Sequence, residues 1–257
     1  MIKIPMILLF IFNALCYVGV PDKCTKAGTI ALTFDDGPTA YTDRILDILE
    51  ENDIKATFHF TTQNINRRNI SSIARRAEEE GHSIGLRVNP QRDWENMDND
   101  DIKEDIGTQV ATVERETGCK IKYGRAPVED GVVNETVYDA FKKKKVIQSG
   151  YSYCFYDEAA DPDDATELIE NTINSSNPKY DSFIFLLHDE REKEFPTLET
   201  IIETGKKKGY KFVTLDDCLA GYEPGKPINS SKSKSSMKSC TAKLTSIPLG
   251  LLPLLLL

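Results

Sequence analysis

Ala31-Leu32-Thr33-Phe34-Asp35-Asp36-Gly37-Pro38 closes an apolar run that begins at Thr29, and the reading of the whole chain starts from it. Thr29 to Phe34 reads as a buried strand; two adjacent carboxylates follow, then a Gly-Pro turn. A strand that delivers paired acids at its C-terminal end is where α/β enzymes keep their chemistry. By itself the pattern also fits a polar turn, so the choice rests on the rest of the chain.

The periodicity on either side alternates strand and helix. Helices are expected over Tyr41 to Asn52, Ile70 to Glu80, Asp98 to Gly118, Asn134 to Lys145, around Ala165 to Ile173, and over Pro196 to Lys208. Strands are expected over Ala56 to Phe60, His82 to Leu86, Ser182 to Leu187 and near Lys211 to Leu215. Repeated alternation of this kind implies a mostly parallel sheet, and a closed barrel is expected rather than an open one. No internal repeat is visible.

The two ends read differently. Residues 1–16 have a basic start, an apolar run and small residues at Ala14 and Cys16, the make-up of a secretory leader. Residues 20–222 form the folded domain, 223–246 a Ser/Lys-rich linker, and 247–257 an uncharged apolar tail. Linker and tail match a glycolipid-anchor signal, with attachment expected among Ser235, Ser236 and Ser239. The expected location is therefore the cell surface, held to plasma membrane or wall by a lipid anchor.

Charge and cysteine usage fit that compartment. The formal charge is −9, and the ends to be discarded carry only lysines, so the mature domain is more acidic still. That argues against nucleic acid or an anionic surface as partner, and leaves neutral glycans. Four cysteines remain in the domain, Cys24, Cys119, Cys154 and Cys218, which allow three pairings. A Cys24–Cys218 bridge would tie the domain's ends together, leaving Cys119 with Cys154. Sequons at Asn69, Asn134, Asn174 and Asn229 agree with an extracellular surface.

Five motifs then fall in one order: Thr33-Phe34-Asp35-Asp36-Gly37-Pro38, Ala56-Thr57-Phe58, Gly81-His82-Ser83-Ile84-Gly85, Arg125-Ala126-Pro127 and Leu186-Leu187-His188-Asp189. In order and spacing they resemble the NodB-type polysaccharide deacetylases, carbohydrate esterase family 4, across essentially the whole domain. The resemblance implies a distorted (β/α) barrel, an active groove at the C-terminal ends of its strands, and removal of acetyl groups from N-acetylglucosamine polymers such as chitin. It implies a divalent metal, commonly zinc, that activates water and polarises the carbonyl. Carried over by position, Asp35 would be the general base, Asp36 a metal ligand, Arg125 the group orienting the base, and His188 the acid for the leaving amine. Asp157 would hold the His188 imidazole, the Val128 N–H would serve the oxyanion, and Trp94 is singled out as a sugar-stacking ring.

Two departures from the family pattern stand out. Arg87 and Gln91 occupy the places of the two metal-binding histidines, and a guanidinium has no lone pair to offer an ion. The only histidines are His59, His82 and His188, and His59 reads as a packed strand residue. After Pro127, Val128-Glu129 stands where the family has Tyr-Gly. No cofactor is therefore expected, with Arg87 paired to Asp36 in its stead. The expected function is a deacetylase-like surface protein with little or no activity and a glycan-binding or wall role. The alternatives are an active deacetylase using a non-standard mechanism, and a surface protein that neither binds nor cuts sugar.

Overall fold

A computed structural model of the chain describes residues 19–63, 65–129, 132–155 and 162–224. The leader, the anchor region with Asn229, and Asp157 lie outside the described residues. Among the described residues no helix is long and apolar enough to cross a membrane.

The molecule is a distorted (β/α) barrel. In chain order its elements are β1 (Thr29–Asp35), α1 (Ala40–Glu51), β2 (Thr57–Phe60), α2 (Arg68–Glu79), β3 (Ser83–Arg87), a 3-10 turn (Trp94–Asn96), α3 (Asn99–Thr117), β4 (Tyr123–Arg125), β5 (Val128–Glu129), β6 (Val132–Val133), α4 (Glu135–Lys143), β7 (Ile147–Gln148), α5 (Pro162–Ser175), β8 (Phe183–His188), α6 (Glu194–Lys208), β9 (Lys211–Val213) and α7 (Leu215–Cys218). Strands run in the order β7-β4-β3-β2-β1-β8 with β9 also on β1, and every pair in this sheet is parallel. The seam is closed without a regular strand. Tyr153 bridges Phe185, Ser152 N–H donates to Ile184 O at 2.7 Å, and Leu186 N–H donates to Tyr153 O at 2.9 Å.

All seven residues of β1 are buried, because both of its faces are covered. Ile30, Leu32 and Phe34 face the helical layer and join the main core, while Ala31 joins a smaller cluster with Tyr123, Ile184, Leu215 and Cys218. Thr33 and Asp35 alternate with the main-core residues and turn polar atoms into the barrel. Helix ends follow local chemistry: Asp98 caps α3 by accepting from Asp100 and Asp101 N–H at 2.9 Å, and Gly118, at φ 82°, ends it.

Strands β4, β5, β6 and β7 were not anticipated, since two or three residues give no alternation to read. β4 also contains Gly124, where a Cβ would lie 2.5 Å from the Phe141 ring. The Cys24–Cys218 bridge forms as expected, across a separation of 194 residues. The expected Cys119–Cys154 bridge does not form. Cys119 sits in the turn leading into β4, beside His82 and Ser83, whereas Cys154 is buried next to β8 just after the Tyr153 bridge.

Candidate functional site

Parallel register sets the site. Asp35 at the end of β1 stands level with His188 on β8 and His59 on β2; His59 is level with Gly85 on β3, and Arg87 with Arg125 on β4. The chemistry-bearing residues thus form one layer at the C-terminal ends of the strands. Gly85 makes room within it, since a Cβ there would lie 2.6 Å from His59 Cδ2. Asp36 takes a left-handed backbone, φ 76°, which a non-glycine residue adopts at a cost of about 1–2 kcal/mol. Asp35 is 1% exposed and directed inward, while Asp36 lies partly open.

Arg125 organises the interior. Its Nη1 donates to Asp35 Oδ1 and to Thr33 Oγ1, both at 2.9 Å, its Nη2 to Gly150 O at 2.9 Å, and its Nε to Ser149 O at 3.3 Å. His59 Nδ1 lies 3.2 Å from Asp35 Oδ1, off the line of a good hydrogen bond, and its Nε2 is 3.0 Å from Ser149 Oγ. Burial alone would raise the Asp35 pKa, but Arg125, His59 and Arg87 together hold it well below the usual carboxylate range. Burial, with Arg125 beside it, lowers His59 to about 4, so that imidazole is neutral at pH 7. Ser149, His59 and Asp35 have the order of a hydrolytic triad, yet Ser149 and His59 are buried inside the barrel, closed off from solvent.

At the mouth, Arg87 Nε lies 3.1 Å from Asp36 Oδ1 and 3.5 Å from Asp35 Oδ2. One nitrogen serves both acids, rather than the two-pronged pair with Asp36 that a guanidinium can make. His188 Nδ1 is 3.1 Å from Glu194 Oε1, and its Nε2 is 3.8 Å from Asp36 Oδ2. Burial pushes the His188 pKa down, but Glu194, Asp35 and Asp36 together raise it. Asp189 behaves in the opposite way to Asp35. Burial, with Asp36 and Asp35 nearby, pushes it up to about 8 against a hydrogen bond donated by Thr42 Oγ1 at 2.6 Å. Among the described residues no group of three or more His, Cys, Asp or Glu side chains is placed to share a metal ion.

Residues 22–148 match the family model described as polysaccharide deacetylase. A chitin deacetylase from Colletotrichum lindemuthianum is 30% identical over 217 residues, covering 79% of this chain and 84% of that protein. The chain belongs to carbohydrate esterase family 4, the polysaccharide deacetylases. The solved structure of a chitin deacetylase from that fungus matches with TM-score 0.71 and 28% identity, covering 84% of this chain and 96% of the other. A family pseudoenzyme from Bacillus anthracis shares the fold at TM-score 0.65 and 18% identity, covering 79% and 69% of the two chains.

Against that family frame, Asp35, Asp36, Arg125, His188 and Arg87 converge in one place. Gln91 is exposed in the loop after β3, where its Oε1 accepts from Gln63 Nε2 at 3.1 Å. Trp94 is half-buried, packs on the main core, and has its Nε1 buried without a hydrogen-bond partner. Val128 belongs to the β5–β6 hairpin, paired with Val133. Three further residues join this cluster: His59, which is packed in β2 as its sequence pattern suggests, Asp189, which lies in the fifth motif without an assigned role, and Glu194, which the sequence analysis does not single out. The alternation Thr57, His59 against Phe58, Phe60 was the available signal for His59, because it puts the imidazole on the Asp35 side of β2. Glu194 had none, since it reaches His188 from the first turn of the next helix.

Proposed function

We propose that this family member is a cell-surface, deacetylase-like protein whose metal position is taken by Arg87, with little or no hydrolysis and a role in holding N-acetylglucosamine glycan at the surface or wall. The observation that carries this reading is the Arg87 Nε contact with both Asp36 and Asp35. The donor set does not fit a divalent ion: Asp36 is the one carboxylate left, Arg87 brings a positive charge into the place of a ligand, and Gln91 is held by Gln63. Charges at the site already offset one another, with Asp35, Asp36 and Glu194 facing Arg87, Arg125 and His188. Asp35, held so far below the usual carboxylate range, is a weak acceptor for a proton from water.

The second reading, an active deacetylase without the family's metal chemistry, draws on His188. Its raised pKa and Glu194 partner leave a proton donor in place for a leaving amine. Acetate release from chitin oligomers, with and without added zinc or cobalt, separates the two. The unmodified protein should release none, and the double change Arg87→His with Gln91→His should gain metal-dependent release. Turnover by the unmodified protein would favour the second reading.

A further inference from the structure

Helix α4 runs into four consecutive lysines, Lys142 to Lys145, all exposed and, among the described residues, all without a carboxylate partner. Several other surface cations are paired with acids, Lys120 with Glu114 at 3.0 Å, Lys122 with Asp216 at 2.8 Å and Arg76 with Asp43 at 2.8 Å, while Lys206 and Lys208 of α6 donate to oxygens of Asn52 and Asn174. Cations complement the dipole at a helix C-terminus, and the last turn of α6 carries three, Lys206 to Lys208. Four adjacent ammonium groups exceed that and repel one another, so the dipole does not account for them.

These lysines border a groove. Gly107, Thr108 and Ala111 of α3 lie along it with Lys143 of α4 and Lys144 just after it, while Asp100, paired with Lys103, and Glu104 line one end; the hollow encloses about 590 Å³. It continues past Lys120 and Lys145 into a second hollow of about 410 Å³ that shares Gly107, Ala111 and Lys144. Small residues on α3 keep it open; a Cβ on Gly107 would already come within 3.3 Å of Lys144 Cε. From Asp100 to Arg115, α3 extends roughly 22 Å, enough for an extended chain.

We propose that this groove binds a linear acidic polysaccharide whose carboxylate or sulfate groups pair with Lys143, Lys144 and Lys145. A membrane surface fits less well, because among the described residues the exposed large apolar side chains are Tyr41 and Tyr180, and neither lies in the groove. A nucleic acid would find no aromatic ring along the groove on which to stack a base. The acidic remainder of the surface weakens adhesion of a polyanion away from the lysines. The groove lies between helices, outside the sheet, so the proposal stands apart from the reading of the Asp35 pocket.

The test is fluorescence binding of a labelled heparin octasaccharide to the intact domain, beside chitohexaose and phosphatidylcholine vesicles containing phosphatidylserine. Heparin should bind and weaken with salt. Lys143→Gln with Lys144→Gln and Lys145→Gln should lose on the order of tenfold in affinity, as charge-assisted contacts are removed. Gly107→Leu, which fills the groove without altering charge, should weaken binding as well, whereas Lys206→Gln with Lys207→Gln on α6 should not. No heparin binding, equal binding by the triple variant, equal loss in the α6 variant, or binding to the vesicles alone would overturn the proposal.

Discussion

Asp35 and Asp189 are buried carboxylates linked through the main chain, Asp189 N–H donating to Asp35 O at 3.1 Å, and they titrate in opposite directions. Asp35 faces a guanidinium, and Asp189 has chiefly a threonine hydroxyl to set against its burial. Because the folded state keeps the Asp189 proton up to about pH 8, its contribution to stability is whole below about pH 4 and falls as pH rises to 8, by at most about 1.4 kcal/mol per unit. Denaturant unfolding should therefore show Asp189→Asn gaining stability relative to the unmodified protein between pH 4 and 8. A difference independent of pH would refute that assignment. Glu194→Gln should bring the raised His188 pKa down, read by NMR titration, where only three histidines need assigning. An unmoved value would give the shift to Asp35 and Asp36. Asp35, Arg125 and His188 are legible with their roles from short motifs; Asp189 and His59 lie in or beside such motifs, but their partners, Thr42 and Ser149, and the Glu194 contact with His188 come only with folding.

Elements long enough to show a period were legible to within a few residues, and capping side chains mark the starts of α1, α3 and α4, whereas α2 and α6 begin without one. Asn134 was read as the start of a helix and is the N-cap of α4, accepting from Val137 N–H at 3.1 Å. Asp98→Ala removes the acceptor for two amides at the start of α3 and should cost about 0.5–2 kcal/mol, measured by chemical unfolding. Asp98→Asn should restore most of it, and equal losses in both variants would point to charge rather than capping. The short strands were illegible for a physical reason. β7 is held to β4 by main-chain pairing, and its two residues carry no pattern of their own.

For the molecule as a whole, closure of the barrel depends on irregular chain at the Tyr153 seam and on the Cys24–Cys218 bridge that joins the two ends of the domain. Cys24→Ser should cost about 2–5 kcal/mol in thermal or chemical unfolding. A thiol count on the unfolded, unreduced domain should find Cys119 and Cys154 reactive; finding neither would restore the second bridge. The barrel places Arg87, Asp36, Asp35 and His188 together at the strand ends, where we propose that Arg87 stands in for an ion. Metal analysis of the purified domain after exposure to zinc tests this most directly. Arg87→His with Gln91→His should retain about one zinc per chain and the unmodified protein none; stoichiometric zinc in the unmodified protein would contradict the account.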